Sequence, residues 1–283
     1  MKLFVESLTV LDFSYLHPRR GLVGESWQLD LVLTGALDDQ GMVLDFGEVK
    51  KRLKALVDDR FDHRLLVPLA DPGLAMEGDT LTYRPPTGLF VRHRGPAEAL
   101  CLLDAEAVTP ATTAAAIVAA LQPELPANVA QVEVTLHPEP EAGPFYHYSH
   151  GLKRHCGNCQ RIAHGHRSRI EIERDGRRDP DLEAQWARRF TDIYLACEDD
   201  LEAITRQLDR TCYRFAYDAG QGAFELEITA DRCYLLETET TVENIARHIR
   251  ERLEAENPGA SFRVKAYEGI GKGAISESRA IQA

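Results

Sequence analysis

The stretch Tyr146-His147-Tyr148-Ser149-His150-(x)8-Cys159-(x)4-His164-Gly165-His166 gathers imidazoles and a thiol within about twenty positions. His164 and His166 are two apart, so a β-strand points both rings to one face. The run that follows, Arg167-Ser168-Arg169-Ile170-Glu171-Ile172-Glu173, alternates as a strand does and supports that placement. His150, just upstream, completes a tripod. Three neutral nitrogens around a tetrahedral Zn²⁺ leave a fourth position open for water or substrate, the arrangement of a catalytic zinc. A competing reading takes His155, Cys156, Cys159 and His164, whose Cys-x2-Cys pair is half of a structural zinc site. That site needs a second close pair. Cys197, Cys212 and Cys233 are single and scattered, so the catalytic reading is preferred.

Outward from this stretch the chain repeats itself at an offset of about 130 residues. Phe13-Ser14-Tyr15-Leu16-His17 lies opposite Tyr146–His150, Arg60-Phe61 opposite Arg189-Phe190, and Leu81-Thr82-Tyr83-Arg84 opposite Thr211-Cys212-Tyr213-Arg214. Cys101-Leu102-Leu103 faces Cys233-Tyr234-Leu235, and Thr109 faces Thr241. A repeat of this length is a duplicated domain, since solenoid units are much shorter. The halves differ in inventory. Opposite His164-Gly165-His166 the first half reads Gly24-Glu25-Ser26, and His17 is left as an ordinary polar or capping histidine. Conversely, Asp62-His63 faces Thr191-Asp192, and Tyr267-Glu268 faces His137-Pro138.

Within a half, strands are expected over residues 4–16 and 26–34, then a turn over 35–41. A helix over 47–59 follows, with Asp45 at its N-cap and Val49, Leu53 and Leu56 along one side. Strand-like 82–94 and 100–103, a helix over 110–121 opened by Thr109-Pro110, and a strand over 132–136 complete the unit. The pattern predicts an α+β class, each unit a four-stranded antiparallel sheet with two helices on one face. Residues 1–137 form the first unit and 138–283 the second, joined by a linker at 137–144 rich in Pro, Gly and acid.

Over 283 residues, 44% hydrophobic and 28% charged content is ordinary for a globular protein with packed cores. A net charge of −12 sets the surface against nucleic acid and anionic membrane, so neither is expected as a partner. No apolar stretch approaches the ~20 residues of a bilayer span. Lys2 and Glu6 place charge too early for a signal peptide. Six irregularly spaced cysteines fit reduced thiols, and a cytoplasmic location is expected.

The order F-x-x-x-H, Cys before His-Gly-His, Met42-Val43-Leu44-Asp45-Phe46 at a helix start, Asp62-His63 before Leu, Thr241-x-Glu243-Asn244 and a last strand ending in Glu268 resembles one known family. It is that of 6-pyruvoyl-tetrahydropterin synthase and 6-carboxytetrahydropterin synthase, matched over nearly the whole chain as two copies of the tunnelling fold. The resemblance implies that His150, His164 and His166 hold Zn²⁺, which would bind the side chain of 7,8-dihydroneopterin triphosphate and lower the pKa of its hydroxyls. It implies a proton-moving role for Cys159, with Cys156 the runner-up, and a relay dyad of Asp62 and His63. Glu268 would anchor the pterin edge, and Thr240 and Thr241 would line that pocket.

Departures from the family pattern are the nearby Cys156 and the extra segments 68–99 and 197–230. These segments carry Arg84, Arg92, Arg94, Arg206, Arg210 and Arg214, candidates for a triphosphate, although solvated surface arginines are the plainer reading for most. Active sites of the family form between subunits, so a homo-oligomer is implied: a homotrimer would supply six tunnelling-fold units. Whether Asp62-His63 acts within a chain or across chains stays open. The expected product is 6-carboxy-5,6,7,8-tetrahydropterin, on the way to 7-deazaguanine (queuosine) compounds. The pyruvoyl product comes second, and a non-catalytic zinc- and pterin- or purine-binding protein is the alternative class.

Overall fold

The computed structural model describes residues 1–140, 143–207 and 209–278. Glu141 and Ala142 of the expected linker lie outside them. The first half opens with a long antiparallel hairpin, β1 (Lys2–His17) and β2 (Gly21–Gly35), whose Leu11, Phe13, Trp27, Leu29 and Leu31 are buried. Asp45 caps the next segment, its carboxylate accepting from the amides of Gly47 and Glu48. The helical run comprises α1 (Phe46–Glu48), a π-helical turn (Val49–Leu53) and α2 (Lys54–Phe61). The wider π period keeps Val49, Leu53 and Val57 in the core, whereas Leu56, expected there, is only partly buried.

After β3 (Leu65–Pro68) come three short strands, β4 (Leu74–Glu77), β5 (Thr80–Tyr83) and β6 (Val91–Arg94). Then β7 (Leu100–Leu103), α3 (Pro110–Leu121) and β8 (Val129–His137) close the unit. Thr109 and Thr112 form a capping box ahead of α3.

The second half repeats this plan. It runs β9 (Phe145–His150), β10 (His164–Arg174), β11 (Arg177–Arg178), α4 (Pro180–Arg189) and β12 (Ile193–Cys197). Its own excursion is β13 (Leu201–Gln207), β14 (Arg210–Ala219) and β15 (Gly222–Thr229). β16 (Cys233–Leu236), α5 (Val242–Glu256), β17 (Phe262–Tyr267) and β18 (Gly273–Glu277) follow.

The two unit sheets have the orders β7-β3-β1-β2-β8 and β16-β12-β9-β10-β17-β18, with β11 on β10. β1, β2 and β8 are antiparallel, as are β9, β10 and β17. Each sheet is larger than the four strands expected, because β3 and β7, like β12 and β16, join in parallel. Helical crossovers make parallel pairing possible, and a short apolar run such as Leu100–Leu103 does not reveal which neighbour it joins. The two excursions merge into a third sheet, β13-β14-β15-β6-β5-β4, whose β15–β6 seam joins the halves. Among the described residues no helix is long and apolar enough to cross a membrane.

The ladders correct the alignment of the halves. Ser14 pairs with Gly24 and Leu65, while Ser149 pairs with Gly165 and Tyr194. The hydroxyls of Ser14 and Ser149 meet at 2.6 Å, and the backbones cross at the two glycines. A Cβ on Gly24 would stand 1.9 Å from the Tyr148 carbonyl oxygen. About this point His150, His164 and His166 are equivalent to Tyr15, Val23 and Glu25. The sequence alignment placed His17 opposite His150 and Gly24-Glu25-Ser26 opposite the pair, which is out by two residues and by one. The physical reason is unequal connections: residues 18–20 join β1 to β2, but 151–163 join β9 to β10, so no single offset fits both strands. His17 accepts from the amides of Arg19 and Arg20 and caps the hairpin turn.

Candidate metal centre

Across the β9–β10 ladder His150 faces His164 and Tyr148 faces His166. All three imidazoles are buried, and each offers a nitrogen within 4.8 Å of the others. Each outer nitrogen faces an acceptor oxygen. Nδ1 of His150 lies 3.1 Å from both the carbonyl and the hydroxyl oxygen of Thr240, and Nδ1 of His164 lies 2.9 Å from the Arg161 carbonyl. Nδ1 of His166 is 3.2 Å from a carboxylate oxygen of Asp12, within ion-pair reach although off the line of a straight hydrogen bond.

Carbonyl and carboxylate oxygens only accept, so Nδ1 carries a proton in each ring, and in the neutral imidazole Nε2 keeps a lone pair. Nε2 of His150 and Nε2 of His166 are 3.3 Å apart, and Nε2 of His164 has no partner among the described residues. Facing lone pairs repel. A cation among them removes the conflict, and three neutral nitrogens with their other nitrogens tethered suit Zn²⁺. Burial, with the neighbouring imidazoles, holds His150 and His164 well below the usual histidine range. They stay neutral, as ligation requires.

Asp62 and His63 follow α2. His63 has a left-handed backbone, φ 53°, held by its amide donating to the Asp12 carbonyl at 2.7 Å. Its second-half equivalent, Asp192, is also left-handed, at φ 55°. Nδ1 of His63 donates to Asp62 at 2.7 Å, and the ring stacks on His164 with centroids 5.1 Å apart. Cys159 joins His63 and His164, its sulfur within 4.8 Å of their ring nitrogens. Burial pulls His63 down, but Asp62 and Cys159 outweigh it and push the imidazole up to about 10. The first-half dyad and the second-half trio therefore meet inside one chain. Cys156 is exposed and belongs to neither group.

Glu268 is half-buried in the β17–β18 turn, its amide donating to the Lys272 carbonyl. Burial raises the phenols of Tyr146 and Tyr148, and the Glu268 charge adds to this; Tyr148 packs on His150 and His166. Thr240 holds His150, while Thr241 caps α5 by accepting from the Asn244 amide. Of the six expected phosphate candidates, Arg92, Arg94, Arg210 and Arg214 are paired with carboxylates on the third sheet and beside it.

Sequence reasoning missed Asp12 and Arg161. Arg161 donates from its guanidinium to the His63 carbonyl at 3.3 Å and to Gln221 at 3.0 Å. It also missed the bracing of this loop by the third sheet. The Tyr217 hydroxyl donates to the Gln160 carbonyl at 2.9 Å, and the Gln221 amide to the Gln160 side chain at 2.6 Å. Asp12 did leave a signal, as a charge inside the apolar strand Leu11-Asp12-Phe13. The braces left none, because their partners are about sixty residues apart in sequence.

Residues 9–148 and 144–278 each match the family model described as 6-pyruvoyl tetrahydropterin synthase. Among solved structures, a catalytic-residue mutant of the Plasmodium vivax 6-pyruvoyltetrahydropterin synthase is 20% identical at a TM-score of 0.43, covering 50% of this chain and 93% of its own. The Plasmodium falciparum 6-pyruvoyl tetrahydropterin synthase is 18% identical at 0.42, covering 50% and 92%. No curated protein matches the chain.

Proposed function

Because the chain belongs to the 6-pyruvoyl tetrahydropterin synthase family, a family of pterin lyases, we propose that it is a zinc-dependent carbon–carbon or carbon–oxygen lyase acting on 7,8-dihydroneopterin triphosphate. The product we favour is 6-carboxy-5,6,7,8-tetrahydropterin, with the pyruvoyl compound second. The observation that carries the metal reading is the 3.3 Å approach of Nε2 of His150 to Nε2 of His166, beside Nε2 of His164, which has no partner among the described residues. His150, His164 and His166 would hold the ion, which when bound supplies Lewis-acid polarisation of substrate hydroxyls. Cys159 and His63 move protons at the side chain, and Asp62 fixes the His63 ring with Nδ1 protonated. Glu268 accepts from the pterin N–H edge.

The three ligand rings are at most 1% exposed, so substrate reaches them past Cys159 and His63, which are half-buried. The unit boundaries at 137 and 138, a cytoplasmic location and a homotrimer belong to the same reading. Incubating the full chain with 7,8-dihydroneopterin triphosphate, with product mass and metal content measured together, tests it. About one zinc per chain and a carboxy or pyruvoyl pterin are expected. Zinc without turnover would favour the binding-protein class, and no zinc would overturn the metal reading.

A further inference from the structure

We propose that Asp12, in the half that lacks the metal ligands, is the outer carboxylate that orients His166 and so completes the metal centre. The inference rests on the zinc reading above. The Asp12 carboxylate is buried and lies 3.2 Å from Nδ1 of His166; the same oxygen accepts from the Ser26 hydroxyl at 2.5 Å. Its second oxygen takes the Lys272 ammonium at 3.0 Å. The backbone of the same residue holds the dyad: its amide donates to Asp62 at 2.8 Å and its carbonyl accepts from the His63 amide at 2.7 Å. One position on β1 thus sets both the ligand ring and the proton-relay pair.

The equivalent contact on the other side sharpens the reading. By the ladders, Asp12 corresponds to His147 and His166 to Glu25. Those two also face each other, at 3.8 Å, with acid and imidazole exchanged. There the carboxylate occupies the ligand position, and Tyr15 and Val23 replace the other two imidazoles. Only on the Asp12 side does the acid stand behind an imidazole whose far nitrogen points at two others.

An acid behind a ligating imidazole fixes its tautomer and raises its basicity, and losing such a partner weakens metal binding by about 10- to 100-fold. An Asp12 that served only the ion pair with Lys272 would leave metal affinity alone, since Lys272 is half exposed and screened.

Zinc affinity of the full chain, measured by competition with a chromophoric chelator, separates these roles. Absorption of the Co²⁺-loaded protein reports the ligand geometry alongside. Asp12→Ala is expected to bind zinc about 10- to 100-fold more weakly and to alter the Co²⁺ bands, with Asp12→Asn, which keeps an acceptor oxygen, falling between it and the parent. If Asp12→Ala does not fold, a loss of about 3-fold or more in Asp12→Asn supports the inference and a smaller one overturns it. Parent-like affinity and spectra in the folded variants overturn it while leaving the zinc reading intact. A parent chain that binds neither ion overturns both.

Discussion

Cys159 sits against His63 and His164, whereas Cys156, three positions earlier, faces solvent. A proton-transfer group must touch the reacting site. Cys159→Ala is therefore expected to keep the fold and the metal and to lose turnover by about 100-fold or more, with Cys156→Ala silent. Metal analysis checks it: loss of zinc from the Cys159 variant would make the sulfur a ligand. Glu25, at the position that carries His166 in the other half, offers a test by stability. Burial raises its carboxyl from 4.5 to about 7, against the opposing pull of the Ser26 amide and Arg167. A raised folded-state pKa favours folding fully below pH 4.5 and loses that contribution as pH climbs through 7. Glu25→Gln should then match the parent near pH 4.5 and exceed it at pH 8 by on the order of 3 kcal/mol, read from urea unfolding at both pH values. Equal stability at pH 8 would remove the buried-charge account.

At the scale of elements, β2 and β10 cross where only glycine fits. Any Cβ at Gly24 would collide with the backbone of Tyr148. Gly24→Ala should cost about 3 kcal/mol or more, seen as a lowered denaturant midpoint, because the obstacle is backbone and cannot rotate away. An unchanged midpoint would mean the sheets separate freely there. The ends of α3 and the cap of the first helix were legible, since Thr109-Pro110 and Asp45 act on their immediate neighbours. The parallel edge strands were not, because a four-residue apolar run carries no information about its partner. The excursions 68–99 and 197–230 were expected as departures from the family pattern that carry candidate phosphate arginines, with no pairing between them foreseen. They instead form one sheet, and its β14–β15 hairpin braces the loop between Cys159 and His164.

For the whole molecule, the dyad lies beside the trio of its own chain. Mixing His63→Ala chains with His164→Ala chains should therefore restore no activity, whatever the assembly. Recovery to about a quarter of the parent rate or more would place the dyad across chains, since shared sites of that kind complement on mixing. The sheets still end in open edges, including β8 and β18, and edges are closed by pairing or cover. Light scattering is expected to give three chains, and a monodisperse monomer with full activity would defeat the trimer.

From the sequence alone came the duplication, the α+β class, the identity of the clustered histidines and cysteine, and the split inventory of the halves. These follow from spacing, capping and the two-residue period of a strand, all of which act over a few neighbours. The tertiary structure alone decided the register between the halves, the meeting of Asp62-His63 with His164 in one chain, and the placement of Asp12 behind His166. Register depends on connection lengths that differ between the halves, and a slip of one residue moves a side chain to the other face. The contact of Asp12 with His166 spans over one hundred and fifty positions, and only the crossing of two strands at Gly24 and Gly165 brings them within 3.2 Å.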